Sequence, residues 1–379
     1  MGLIVAIVEA RTVTGPAKNL IRFASENRER LKFHFLTYAR TATEAEANSY
    51  TNLFIESART AGIPVANVWE QGRFDRGAQV RLLRAVHQLR PQAVQTHSVK
   101  SHFLTAHIRR KLGARWIAFH HGYTAEDVKM RLFNQLDRYS LPRAAAVVTV
   151  CEAFAGGLEN YGVKPERLHV LHNSLDPGWA RRPGLEEDAA RLRARWPGQT
   201  VVLLCVGRFS KEKGHSTLIR ALAEVRPRTP VFLVLIGDGP LRADVEALVR
   251  AERLEECVFF AGQQKDVRPY FAAANALVLP SLSEGSPNVL LEAMAARLPI
   301  VSTRAGGACE IVSDRKTALV VPTNDPGALA RAIQHIAGDA ELRAQLAARA
   351  YTRLIEHFSP AAYDAKLFGI YESVLGSGQ

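Results

Sequence analysis

No run of about eighteen consecutive apolar residues occurs in this chain, so the sequence offers no membrane-spanning helix. Cysteine is scarce. Cys151, Cys205, Cys257 and Cys309 stand more than fifty residues apart, a spacing that makes neither a redox pair nor a metal site. They read as core fillers in a reducing, cytoplasmic setting. No Asp-x-Asp pair is available to hold a divalent ion on a diphosphate, and no metal is expected. Internal repeats and low-complexity tracts are also missing. The apolar opening, MGLIVAIVEART, carries no small-residue cleavage site and reads as a buried first strand rather than a signal peptide.

What is present is enough chain for two domains: 379 residues exceed one ordinary core. The expected boundary is the stretch 177–199, rich in Pro, Gly, Arg and Glu. It separates a domain at 1–178 from one at 179–358, with a helical tail at 359–379. The formal net charge is +12, and it is uneven: residues 1–178 hold 24 Lys/Arg against 15 Asp/Glu. The basic half suits an anionic partner such as an acidic membrane surface or a phosphorylated lipid. An Arg-rich composition with no such partner gives the same count. Nucleic acid is not expected, because no recognised binding motif accompanies the charge.

Read in order, the chain alternates apolar strands with helices, which predicts an α/β architecture of doubly wound parallel sheets. Residues 2–8 form an unbroken apolar strand, followed by a loop at Gly15 and a helix. In 78–91 the residues Val80, Leu83, Val86 and Leu89 are taken as one apolar face, ended by Pro91. His121–Gly122 follows a strand end, where open α/β sheets bind ligands. The basic segment 127–145, with Met130, Leu132, Phe133 and Leu136 interleaved, is read as a packed helix, with a membrane-surface helix as the alternative. A strand ending at Gly207 is followed by Arg208 and Lys213, two cations suited to a diphosphate. Gly237–Asp238–Gly239 is not a dinucleotide fingerprint, since Arg242 stands at the third glycine position.

The most informative stretch is 280–301, PSLSEGSPNVLLEAMAARLPIV. It predicts a strand end, a tight loop, a helix with Ser286 as N-cap and Pro287 as first residue, then another strand. The amides near Asn288, Val289 and Leu290 would point out of the helix start, where unpaired donors and the helix dipole attract phosphate. Glu284 and Glu292 bracket that site.

The string Glu-Gly-Ser-Pro-Asn-x-x-x-Glu resembles the signature of retaining glycosyltransferases of family 4 (glycosyl transferases group 1), which have the GT-B fold. Gly207–Arg208 with Lys213–Gly214, and Gly306–Gly307 with Glu310, fit the same pattern, and the likeness runs over nearly the whole chain. It implies two Rossmann-like domains facing a central cleft, with the C-terminal helix crossing back to the N-terminal domain. It further implies that Glu284 contacts the donor sugar, Glu292 binds ribose, and Arg208 and Lys213 bind the diphosphate. The loop and helix start at Ser286, Pro287, Asn288 and Val289 would hold that diphosphate too. Gly262 stands where the base is seated, Gly15 in the loop facing the donor phosphates, and His121 near the reacting sugar. The resulting expectation is a metal-independent hexosyltransferase with a nucleotide diphosphate sugar as donor, UDP by preference. Its acceptor would be a glycan or lipid-linked hydroxyl in envelope polysaccharide or lipopolysaccharide assembly. Two other readings stay open: a GT-B sugar-nucleotide 2-epimerase, and a non-enzymatic nucleotide-sugar-binding subunit. The expected location is cytoplasmic, with possible peripheral contact at the inner membrane face.

Overall fold

A computed structural model describes residues 2–72, 75, 77–123, 128–198 and 200–376. The chain divides into two compact units, residues 1–173 with 363–379, and residues 174–362. No helix among the described residues is long and apolar enough to cross a membrane.

Seven strands build the first unit: β1 Gly2–Ile7, β2 Leu31–Arg40, β3 Val65–Glu70, β4 Ala93–Thr96, β5 Arg115–His120, β6 Ala146–Thr149 and β7 Leu168–Val170. All pair in parallel, in the order β3-β2-β1-β4-β5-β6-β7. Successive side chains of a strand point to opposite faces, so a strand covered on both sides must be apolar throughout. β1 shows this directly: Ile4 and Ala6 enter one core with Phe23, Phe35 and Phe54, while Val5 and Ile7 enter the other with Leu82, Val86 and Trp116. The helix Pro360–Gly376 gives Leu367, Ile370, Tyr371 and Val374 to the first of these cores. Its Asp364 carboxylate accepts hydrogen bonds from Arg22 (2.5 and 3.1 Å) and Asn27 (2.8 Å). The chain thus ends in the unit where it began, as the GT-B expectation requires.

The second unit holds β8 Val201–Val206, β9 Val231–Ile236, β10 Val258–Gly262, β11 Ala276–Leu279, β12 Ile300–Thr303 and β13 Leu319–Val321. These are parallel in the order β10-β9-β8-β11-β12-β13. In both sheets the order reverses beside the first strand, between β1 and β4 and between β8 and β11. At such a switch the loops leave in opposite directions and open a crevice at the strands' carboxyl ends.

Three local expectations need correction. On the helix Gly77–Leu89 the buried residues are Ala78, Leu82 and Val86, and Val80 is exposed. At 3.6 residues per turn, steps of four drift slowly and keep one face, whereas the steps of three from Val80 to Leu89 sweep half the circumference. Gly15 is not in a loop but opens the helix Gly15–Glu26, with Thr14 as N-cap. Residues 177–198 of the expected boundary stretch 177–199 are folded into the second unit: the helix Leu185–Arg193 lies there, and Trp179 packs edge-on against Phe271 at 5.4 Å. In the basic segment 127–145, Asp127 and the Met130 side chain lie outside the described residues. The helix there runs Val128–Ser140, with Leu132 exposed.

Candidate functional site

In the second unit, β8 ends at Val206 and the chain passes through Gly207 to Arg208, which is exposed at the strand's carboxyl end. A short 3-10 turn, Lys211–Lys213, precedes the helix His215–Val225. Gly214 joins them with φ +65°, and a Cβ there would lie 2.1 Å from the Pro280 carbonyl oxygen. Only glycine lets these two backbones touch, and the contact carries Lys213 over the end of β11. Lys213 Nζ donates to Glu284 Oε1 at 2.7 Å, and Ser281 Oγ donates to the same oxygen at 2.6 Å. Glu284 is buried, and among the described residues its Oε2 receives no protein hydrogen bond. Gly306, also at positive φ (+49°), leaves room for the Glu284 carbonyl, which a Cβ would approach to 2.5 Å. The Gly307 amide donates to that carbonyl at 3.0 Å.

The loop after Glu284 leads into the helix Asn288–Ala295. Its N-cap is Pro287, not Ser286: Pro287 takes extended backbone (ψ 109°), so helical geometry starts one residue later than expected. Leu290 N–H is not available either, since it donates to the Pro287 carbonyl at 3.1 Å. The amides of Asn288 and Val289 come before any intrahelical acceptor. Asn288 Oδ1 is buried without a hydrogen-bond partner. Glu292 is half-buried one turn along the same helix. Gly262, left-handed at φ +68°, closes the edge strand β10, with β9 between it and β8.

Sequence reading passed over two neighbours of this cluster, Ser281 and His215. The His215 ring stacks on Phe209 (centroids 4.3 Å, planes 8° apart), and its Nε2 is buried without a partner. Burial, then the Lys213 charge, push its pKa down to about 4, so the ring is neutral at pH 7. Burial also pushes the Cys205 thiol up to about 12, as befits an inert core residue.

In the first unit, histidines gather at the carboxyl ends of β4 and β5. His120 is buried in β5, and His121, an exposed residue, follows it. Asp137 accepts from His102 Nδ1 at 2.5 Å and from His120 Nδ1 at 3.2 Å. Burial alone would raise the Asp137 carboxyl, but His102 and then His120 hold it well below the usual carboxylate range. His97 Nδ1 lies 3.2 Å from His121 Nε2. His121 and Pro16, next to Gly15, line one cavity of about 20 Å³ together with His97 and Thr149. Desolvation by the surrounding protein, then His120 and His102, hold the His121 pKa below the ordinary 6.5.

Of the expected site residues, Lys213 and Glu284 are in direct contact. Arg208, Ser286, Pro287, Asn288, Val289 and Glu292 lie on the loops and the helix around the β8–β11 switch. Gly262 ends the edge strand of the same sheet, and Gly15 and His121 belong to the other sheet.

Two all-parallel Rossmann-like sheets in one chain, with the last helix returned to the first sheet, define the GT-B class. HepE from Anabaena, solved in complex with UDP, superposes with a TM-score of 0.82 at 20% identity, over 98% of this chain and 100% of that one. The model for "Glycosyl transferases group 1" matches residues 187–353 and that for "Glycosyl transferase 4-like domain" matches 15–174. The chain belongs to the group 1, family 4 glycosyltransferases. LpsE of Rhizobium meliloti, a lipopolysaccharide core biosynthesis glycosyltransferase, is 38% identical over 173 residues, 45% of this chain and 50% of that protein. The alpha-D-kanosaminyltransferase of Streptomyces kanamyceticus is 29% identical over 266 residues, 69% of each. The alignment to LpsE thus spans half of that relative's length.

Proposed function

We propose that this chain is a retaining glycosyltransferase that moves a hexose from a nucleotide diphosphate sugar, UDP being the expected nucleotide, to a hydroxyl of a glycan or lipid-linked acceptor. The observation that carries the reading is the contact of Lys213 with Glu284 beside the helix start at Asn288, at the sheet's switch point. As the bond from the sugar's anomeric carbon to the diphosphate breaks, negative charge grows on the leaving group and positive charge on the carbon. Arg208, Lys213 and the Asn288 and Val289 amides answer the first, and the Glu284 carboxylate, with Oε2 left to the sugar, answers the second. Glu292 holds the ribose, Gly262 stands beside the base, and Ser286 and Pro287 shape the diphosphate loop. On the first unit, His121 is the candidate for contact with substrate, and Gly15 opens a helix of the same unit.

The cations and amides carry the leaving-group charge without a divalent ion, so EDTA should leave turnover unchanged. The relatives' names support envelope polysaccharide or lipopolysaccharide assembly as the setting. The basic first 178 residues support peripheral contact with an anionic membrane, and the test is flotation with anionic liposomes at low salt. A thermal-shift panel of UDP, GDP and ADP sugars tests the donor, because a ligand stabilises only the state it binds. Stabilisation by a UDP sugar, followed by its transfer with retained anomeric configuration, is the expected result. No shift with any nucleotide sugar refutes the reading.

A further inference from the structure

The hydrogen bonds around His121 form a directed chain. Tyr371 Oη lies 2.5 Å from Gln95 Oε1, Gln95 Nε2 lies 3.0 Å from His97 Nε2, and His97 Nδ1 lies 3.2 Å from His121 Nε2. The two outer lengths for Gln95 orient its amide. A separation of 2.5 Å belongs to O–H···O and is too short for N–H···O, whereas 3.0 Å is ordinary for an N–H donor. The amide nitrogen can only donate, so His97 Nε2 must accept. A neutral imidazole carries one proton, which in His97 then sits on Nδ1 and points at His121 Nε2. That nitrogen must accept in turn, and the His121 proton is left on Nδ1.

We propose that Tyr371, Gln95 and His97 are positioning residues that fix His121 in its Nδ1–H tautomer, so that it meets substrate as a neutral hydrogen-bond donor to an oxygen of the sugar and not as a base. The assignment rests on the reading of His121 as a substrate-contacting residue. The relay itself rests on geometry alone.

Each member is held in place. Gln95 is fully buried, and the Tyr371 ring lies in the core against Phe23 (6.1 Å) and Phe33 (6.4 Å). The His97 ring lies along Phe119, with centroids 4.7 Å apart and planes 23° apart. Burial holds the Tyr371 phenol well above its ordinary pKa, so it stays a donor. Burial, then His121 and His102, hold His97 well below its ordinary value, which keeps it neutral. The relay explains why a tyrosine of the last helix reaches into the sheet. With Nε2 committed to His97, His121 has no lone pair for the acceptor hydroxyl's proton at that nitrogen.

The test is long-range 1H–15N correlation of the full chain labelled at histidine nitrogen, with His121 assigned by its loss in His121→Ala. Wild type should show His97 and His121 protonated at Nδ1. In Gln95→Leu combined with Tyr371→Phe, which removes donor and acceptor together, both rings should become tautomer mixtures. There kcat should fall about tenfold, a hydrogen bond's worth, while the KM for donor changes less. Tyr371→Phe alone keeps the packed ring and supplies the comparison if the double variant does not fold. A His121 protonated at Nε2 in wild type, or a tautomer unchanged in both variants, overturns the relay. Full turnover by His121→Ala beside the expected spectra instead refutes the part given to His121 in transfer.

Discussion

Replacing Lys213 by methionine keeps the aliphatic stem and deletes the charge that faces Glu284. The lysine side chain is 26% exposed and the glutamate 7%, so the pair lies between the surface and interior limits. Exposed pairs are worth about 0.2–1 kcal/mol, while breaking a buried pair costs about 3–5 kcal/mol. Ser281 still donates to Glu284 after the change, and an intermediate loss of about 2 kcal/mol follows. For a unit of this size that is roughly 4–8 °C in Tm. Glu284→Gln should lose less, and combining it with Lys213→Met should return much of the stability, because no charge is then left without a counterpart. Turnover should behave differently. If Lys213 also stabilises the leaving diphosphate, Lys213→Met lowers kcat by about 10²–10³, as loss of one oxyanion donor does. The double variant stays as inactive as the worse single one. Thermal melts and initial rates on the same four proteins separate the two effects. Turnover within threefold of wild type in Lys213→Met, with the stability loss present, would refute the diphosphate role and leave the lysine as a structural partner of Glu284.

Gly214→Ala places a Cβ 2.1 Å from the Pro280 carbonyl at a left-handed φ. It should cost more than about 1–2 kcal/mol and abolish the thermal shift with UDP sugar. Acid should destabilise the second unit through His215. Its folded pKa of about 4 lies below the ordinary 6.5, so the unfolded chain takes the proton first. The loss is therefore absent above pH 6.5 and grows toward pH 4, reaching up to about 3 kcal/mol. His215→Phe should flatten that part of the stability-against-pH curve. Ending the chain at Ser359 removes Leu367, Ile370, Tyr371 and Val374 from the first unit's core. At about 1.5–3 kcal/mol each this rivals a domain's whole stability, so the truncated protein should bind hydrophobic dye and lose cooperative melting.

Most of the fold was legible because the inner strands of the sheets are covered on both faces. β9 reads VFLVLI and β11 ALVL, every residue buried, and such runs leave little choice of element. Helices were read less well wherever one residue decides the detail. The spacing of Val80, Leu83, Val86 and Leu89 suggested a face, yet burial followed Ala78, whose small side chain gave no signal. Pro287 looked like a first helical residue because its φ suits one, but ψ, which composition does not reveal, put it outside the helix.

The site was legible in residue type and not in contact. Glu284, Arg208, Lys213 and Glu292 stood out through their spacing around glycines and strand ends, which local sequence records. That Lys213 and Ser281 both donate to a single Glu284 oxygen depends on Gly214 touching Pro280, a meeting of segments 66 residues apart. The same limit hid the Tyr371–Gln95–His97–His121 chain, whose first two members are separated by 276 residues. Its members look ordinary one at a time, a strand glutamine and a helix tyrosine among others. Chemistry of this kind lies in the direction of protons along a path, and that direction exists only once parallel strands have brought their carboxyl ends to one edge. Loops at that edge can vary in length and composition without disturbing the sheet. Charged groups repeated at fixed spacing are therefore readable there, while the neutral groups that orient them are set by tertiary packing.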